Sequence, residues 1–276
     1  MQWSDQGRAM LSVAIITLNE EENLGRTLES VKDLAHEIVI LDSFSSDRTC
    51  EIARTFGARV EQRKFDGFSS QKNHLLDLCT KDWVLLIDAD EELSADLRLE
   101  IRAQLKNPEA DVYEFPFQSF CFGSAVHYGG WSGFKKIRLF KKGMVRFGTE
   151  RVHERFIVAQ NAHTASLRNP LYHHTYLSVE ECLQKMNRYS SSAAIEMFEN
   201  KKRANLFSLV LSPAIGFFKG YFLKLGFLDG FLGLILAINN AHYHFSKYVK
   251  LIIMVQKGEK SGSSGQGDEF KSPPGR

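Results

Sequence analysis

VLLIDADEEL, residues 84–93, runs as unbroken apolar chain from Val84 to Ile87 and then turns acidic at Asp88, Asp90, Glu91 and Glu92. The apolar part has the composition of a strand buried on both faces. A buried strand that ends in so much negative charge needs a partner for it. Carboxylates at i and i+2 point to opposite sides of a continuing strand, but where the strand breaks into a loop both can turn toward one point. Hard oxygen donors held in this way suit Mg²⁺ or Mn²⁺, which keeps waters and borrows further ligands from a substrate diphosphate. The competing explanation is that Asp90, Glu91 and Glu92 cap the following helix, whose N-terminus favours negative charge.

Toward the N-terminus the same pattern repeats. SVAIITL (12–18), EIVILD (37–42) and ARVEQRKF (58–65) read as strands, and amphipathic segments from Glu21 to about Leu34, over Ser46–Phe56 and over Ser69–Cys79 read as helices. Strand then helix, four times over, implies parallel strands joined by crossover helices, with ligands at the carboxyl ends of the strands. Polar residues collect there: Thr17, Asn19 and Glu20 after the first strand, Asp42, Ser43 and Ser45 after the second, Asp88 and Asp90 after the fourth. Acids at strand ends read ribose and base in nucleotide-binding sheets. Ser46 or Asp47 as an N-cap accounts for part of this set, but not for Asp42, which precedes the turn. Lys72 and Asn73 in SSQKNHLL lie near a helix start, where a cation can meet phosphate.

Toward the C-terminus a helix over Ala95–Leu105 is followed by a mixed-sheet half from Asp111 to about Leu171, with strands VYEFPFQSF, KKIRLFKK, MVRFG and ERFIV. This half is expected to carry the acceptor side. Arg138 in KKIRLF offers a fork of donors for a diphosphate, and the lysines around it form a solvated face or meet an anionic headgroup. Tyr128, Trp131 and Phe134 flank Gly129-Gly130, as in a loop that stacks on a sugar ring or as ordinary core. Ser178 to Lys201 reads as a helix with Ser178 and Glu181 forming a capping box.

From Asn205 the chain becomes rich in Leu, Phe, Ile and Gly, interrupted by Pro213, Lys219, Lys224 and Asp229. A clean span wants roughly 20 apolar residues, so interfacial or re-entrant helices are expected, with a single span over Phe222–Ile238 or a buried hairpin as alternatives. Lys247, Lys250, Tyr243 and Tyr248 flank the segment like interfacial anchors. The domain expectation is therefore a catalytic unit over 1–175, a helical membrane-associating region over 176–257 and a disordered Gly/Ser/Pro-rich tail over 258–276.

Composition sets the outer bounds. With 43% hydrophobic and 25% charged residues the chain is a folding one, and 35 basic against 33 acidic residues leave a formal charge of +2, too balanced for a nucleic-acid binder. Cys50, Cys79, Cys121 and Cys182 show no metal or disulfide spacing and read as reduced thiols. No N-terminal run has the length of a secretory signal core, so the catalytic part is expected on the cytosolic side.

Together, TLNEE at the first strand, LDSFSSDRT at the second and LLIDADEEL at the fourth resemble a family 2 glycosyltransferase of GT-A fold, LLIDADEEL matching its DxD motif. The resemblance spans roughly residues 11–160 and implies an α/β, Rossmann-like, mostly parallel sheet flanked by helices. It implies that Thr17, Asn19, Glu21 and Asp42 bind the nucleotide, usually UDP, that Lys72 and Asn73 hold base or diphosphate, and that Asp90 ligates the metal while Asp88 contacts ribose and metal. RLFKKGMVRFGTERVHERF and the apolar C-terminal segment are similar to bacterial lipopolysaccharide core-type glucosyltransferases. Such an enzyme inverts configuration with one acceptor-side carboxylate base. No Glu-Asp pair lies between residues 111 and 150, which departs from many relatives, so Glu154 in RVHERF is the first candidate base and Glu150 the second. An exposed ion pair with Arg151 or Arg155 is the alternative role for Glu154. His153 is a candidate for the metal or diphosphate; His173 and His174 in LYHHTY are assigned no metal role.

The expected activity is transfer of a hexose, glucose in the first instance, from a UDP-sugar to a lipid-linked saccharide such as a lipopolysaccharide inner core, at the cytoplasmic face of a bacterial inner membrane. The nearest alternative is transfer to a lipid phosphate, as in polyprenol-phosphate sugar synthases, which needs no carboxylate base. A nucleotidyltransferase would carry a Gly-rich basic loop after the first strand, where TLNEEENL is acidic. A non-catalytic binding module would have no use for Asp88 and Asp90.

Overall fold

The computed structural model describes residues 9–148 and 156–263. The chain forms two compact units, one of Met1–Ala125 with Trp131–Thr175 and one of Val126–Gly130 with Tyr176–Arg276.

The first unit starts with β1 (Leu11–Thr17), α1 (Leu24–Val31), β2 (Glu37–Asp42), α2 (Thr49–Thr55), β3 (Arg59–Gln62), α3 (Phe68–Leu78) and β4 (Trp83–Asp88). β1 pairs in parallel with both β2 and β4, and β2 with β3. The resulting order β3-β2-β1-β4 reverses direction between β1 and β4, the place where open α/β sheets bind ligands. Alternation of the apolar strands explains the two covered faces. Val13, Ile15, Leu85 and Ile87 pack with Leu24, Leu28, Leu97 and Ile101, while Ala14, Val39, Leu41, Val84 and Leu86 pack with Leu75 and Leu76.

After β4 come β5 (Glu91–Leu93), α4 (Ala95–Lys106), β6 (Val112–Cys121), β7 (Ser124–Val126), β8 (Lys135–Lys141), β9 (Val145–Phe147), β10 (Phe156–Val158), β11 (Thr164–Ser166) and β12 (Leu171–Tyr176). β8 joins β4 antiparallel and carries the sheet on to β6, β12 and β5. This pairing places Arg138, at the middle of β8, near the acidic end of β4. The helices are shorter at their starts than their sequence patterns: α1 begins at Leu24 and α2 at Thr49. Asp47 accepts the amide of Thr49 at 2.9 Å and that of Glu21 at 3.1 Å, so a side-chain turn occupies the residues read as the first turn of α2. The four cysteines are free thiols, three of them buried.

The second unit contains α5 (Val179–Glu199), α6 (Leu206–Phe218) and α7 (Gly230–Ser263). Ser178 caps α5 by accepting the amide of Glu181 at 3.1 Å, and Glu181 accepts the amide of Leu177 rather than that of the cap residue. Both other helices are tied to α7 by polar groups. Lys250 Nζ donates to Asn187 Oδ1 at 2.7 Å and to Ser190 Oγ at 2.8 Å, and Asn240 donates to the carbonyl of Gly216 at 3.1 Å. Between α6 and α7 lie a π turn over Lys219–Leu223 and a 3₁₀ turn over Gly226–Asp229. A span over Phe222–Ile238 is therefore corrected: Leu225 adopts a left-handed conformation, and the chain turns inside that stretch. Gly233 packs so tightly on this turn that a Cβ there would lie 1.8 Å from the carbonyl oxygen of Gly226. Among the described residues, Leu206–Leu223 is the stretch long and apolar enough to cross a membrane, and almost none of it is buried. α7 continues to Ser263, past the start of the Gly/Ser/Pro-rich tail; residues 264–276 lie outside the described residues.

Candidate active site

The acidic end of β4 is closed by its own side chains. Ser94, not an acid, caps α4, accepting the amide of Leu97 at 3.2 Å, so helix capping does not account for Asp88, Asp90, Glu91 or Glu92. Instead Glu91 turns back and accepts the amide of Asp88 at 3.0 Å with one oxygen, while the other meets Arg138 Nη2 at 2.6 Å. Glu91 is 0% exposed and Arg138 2%. The same Nη2 lies 2.9 Å from Asp88 Oδ2, and Lys72 Nζ, also buried, lies 3.3 Å from Asp88 Oδ1.

The electrostatics follow. Burial alone would raise the Asp88 carboxyl, but Lys72 and then Arg138 hold it well below the usual carboxylate range. Burial pushes Glu91 up, a rise that Arg138 opposes and Asp88 adds to. Asp90 takes a different partner. His173 Nε2 lies 3.4 Å from Asp90 Oδ2, and the backbone amide of His174 donates to the Asp90 carbonyl at 2.9 Å. Burial would lower the His173 imidazole, yet its bond to Asp90 carries it above the ordinary value. His174 pairs with Glu92 at 2.8 Å.

Asp90 and His173 pair beside the loop after β4, with the imidazole held toward its protonated form as a charge partner of the carboxylate. Among the described residues no group of three or more His, Cys, Asp or Glu side chains is arranged for a metal. The oxygen donors at this turn suit Mg²⁺ or Mn²⁺, which takes few protein ligands and completes its shell with waters and substrate phosphate oxygens. Asp88 is bound by two buried cations, Lys72 and Arg138.

At the neighbouring strand ends, Asp42 is fully buried and receives Thr17 Oγ1 at 2.9 Å, the Ser45 amide at 2.9 Å, Ser45 Oγ at 2.5 Å and Gln62 Nε2 at 3.1 Å. Burial would raise Asp42, but these donors, Ser45 foremost, keep it low. Asn19 sits at φ 54°, accepts the amide of Ser46 at 2.8 Å and donates its own to Ser45 Oγ at 2.8 Å. Glu21 meets Arg48 Nε at 3.3 Å. Asn73 spends its amide on the backbone of Phe147, donating to its carbonyl and accepting its amide, both at 2.9 Å. Glu154, Glu150 and His153 lie outside the described residues.

Reading the sequence missed Glu91, His173 and Phe117. Phe117 stacks on Phe134 with centroids 5.1 Å apart, lies 5.3 Å beneath the Arg138 guanidinium and meets His173 edge-on at 6.3 Å. The alternating burial of β6 signals an inward Phe117, but nothing local signals which polar group it supports.

A sequence model described as Glycosyl transferase family 2 matches residues 12–158, more than half of the chain. A glycosyltransferase of Rickettsia typhi is 31% identical over 255 residues, covering 87% of this chain and 86% of that one. The lipopolysaccharide core biosynthesis glycosyltransferase LpsC of Rhizobium meliloti is 30% identical over 249 residues, covering 87% and 91%. Among solved structures, S. aureus TarS 1–349 in complex with UDP overlaps 95% of this chain and 94% of its own at 15% identity, with a TM-score of 0.44. Glucosyl-3-phosphoglycerate synthase of Mycobacterium tuberculosis, in complex with Mn²⁺, UDP and glucosyl-3-phosphoglycerate, overlaps 42% and 45% at 25% identity, with a TM-score of 0.33. Overlaps this loose carry no inference about ligands. The sheet order, the acidic turn at the reversal point and the sequence matches agree: the chain has the GT-A fold and belongs to glycosyltransferase family 2.

Proposed function

We propose that the chain transfers a hexose, glucose in the first instance, with inversion, from a UDP-sugar to a lipid-linked saccharide such as a lipopolysaccharide inner core. The observation that carries this reading is the turn in which Asp88 is held between Lys72 and Arg138 while Asp90 faces His173. The similarity to LpsC supports the acceptor class.

In this reading Asp42, with Thr17, Asn19 and Glu21, frames the nucleotide, and Asn73 holds the Phe147 backbone beside Lys72. Lys72 and Arg138 supply fixed positive charge where diphosphate charge develops, an environment that needs no reorganisation during reaction. Asp90, with Asp88 and His153 as further candidates, would hold Mg²⁺ or Mn²⁺. A bound divalent ion neutralises charge on the departing diphosphate. Glu154 is the proposed base that takes the proton of the acceptor hydroxyl. The exposed apolar segment from Leu206 supports work at a membrane surface, and we place that work on the cytoplasmic face of the inner membrane.

The test is incubation with UDP-glucose, UDP-galactose or GDP-mannose, Mn²⁺, and either deep-truncated lipopolysaccharide or a polyprenyl phosphate, read by mass spectrometry. Addition of one hexose to the lipopolysaccharide from a UDP-sugar, lost in Glu154→Gln, is expected. Transfer to the polyprenyl phosphate alone would overturn the acceptor assignment.

A further inference from the structure

The short stretch Val126–Gly130 leaves the catalytic unit, belongs to the helical unit and returns at Trp131. Within the helical unit it is held by the turn between α6 and α7. Asp229 accepts the amide of His127 on Oδ1 at 3.1 Å and the amide of Tyr128 on Oδ2 at 2.8 Å, and the carbonyl of Lys224 accepts the amide of Gly129 at 2.9 Å. Three consecutive amides are thus bound by one six-residue turn, Lys224–Asp229. Gly130 follows at φ +87°, where a Cβ would lie 2.3 Å from Lys224 Nζ. The backbone angle strains any other residue, while the flexible end of Lys224 can swing aside.

The turn presents apolar side chains to solvent while its polar groups hold the loop. Leu223 is 68% exposed and Phe231 77%, with Phe227 and Leu228 exposed between them. Two exposed cations, Lys219 and Lys224, lie at this turn, and three more, Lys201, Lys202 and Arg203, lie at the other end of the apolar helix. An exposed apolar stretch rimmed by cations is complementary to an anionic phospholipid surface, with aliphatic and aromatic groups among acyl chains and ammonium groups among phosphates. Past Gly130 the chain continues into Trp131–Phe134, whose Phe134 stacks on the Phe117 that supports Arg138 and His173.

We propose that Asp229 is a positioning residue that fixes loop 126–130 on the turn Leu223–Phe231, and that seating this turn in an anionic phospholipid surface orders the loop. In water, solvent competes for the three amides, so the bonds to Asp229 and Lys224 open readily. Against a lipid surface that competition falls, and an unpaired amide or carboxylate becomes costly. Lipid engagement and ordering of this loop are then one event. The proposal rests on the lipid-linked acceptor reading, and deepens it.

Hydrogen exchange of the full chain, read at the amides of residues 127–129, tests it, with and without vesicles of phosphatidylglycerol and phosphatidylethanolamine. Wild-type amides are expected to slow at least tenfold on these vesicles, and not on pure phosphatidylcholine. Asp229→Asn and, independently, Gly130→Ala are expected to abolish the slowing while the α7 amides stay protected and the protein still sediments with the vesicles. No slowing in the wild type, equal slowing in both variants, or equal slowing on phosphatidylcholine would overturn the proposal. Loss of α7 protection in both variants would also overturn it, reducing Asp229 to a fold-stabilising residue. UDP binding, measured on the same samples, separates the two readings: its absence from the wild type counts against the transferase assignment and leaves the exchange result to stand.

Discussion

The Glu91 carboxylate lies 2.6 Å from the Arg138 guanidinium, and both are sealed from water. The pair does two jobs at once. Glu91 closes the turn by holding the Asp88 amide, and its charge balances part of an arginine that also reaches Asp88.

Breaking this pair leaves a buried charge uncompensated. Glu91→Ala is expected to cost about 3–5 kcal/mol in urea denaturation, whereas the Glu91→Leu, Arg138→Met double variant should recover most of it, because buried apolar replacements avoid the desolvation penalty. A single-variant loss under about 1 kcal/mol would show that the pair is not sealed as described.

Asp42 predicts a pH dependence. Its folded carboxyl is held low by the Ser45, Gln62 and Thr17 donors, against the burial that would raise it. A depressed folded value contributes stability that is present above the unfolded value of about 3.9 and is lost as pH falls through the folded one. Wild type should therefore lose more stability below about pH 4 than Asp42→Asn does. Parallel curves for the two proteins would remove Asp42 from the acid response.

The legible and the hidden parts of this chain divide along physical lines. Strand ends announced themselves because polar residues follow apolar runs directly, as at Thr17, Asp42 and Asp88, and the order of β1 to β4 followed from repeated strand and helix patterns. Glu91 was hidden because Asp88, Asp90, Glu91 and Glu92 look equally acidic in sequence. Which one is buried depends on Arg138, 47 residues away, arriving on an antiparallel strand. Asn73 was similarly opaque: its partner is the Phe147 backbone, 74 residues along. Hydropathy near Phe222 left a continuous span open as an alternative to interfacial helices, while the left-handed Leu225 and the close Gly226–Gly233 approach turn the chain there.

Exposed aromatics of the helical unit give a membrane prediction. Phe207 and Phe231 are 69% and 77% exposed, and full burial of such a side chain in an apolar phase is worth about 1.5–3 kcal/mol. Phe207→Asp with Phe231→Asp should weaken cosedimentation with anionic vesicles by about tenfold or more, with UDP affinity unchanged. Undiminished vesicle binding would place the contact elsewhere on the chain.

The most direct test of the donor site is calorimetric titration of the purified protein with UDP, with and without Mn²⁺, alongside Asp90→Asn. The geometry predicts UDP binding that tightens with Mn²⁺, loses that metal dependence in Asp90→Asn, and falls back to the metal-free affinity when the metal is chelated from the wild type. UDP binding equal in both proteins and indifferent to Mn²⁺ would contradict the role of Asp90, and no binding under any condition would contradict the donor site itself.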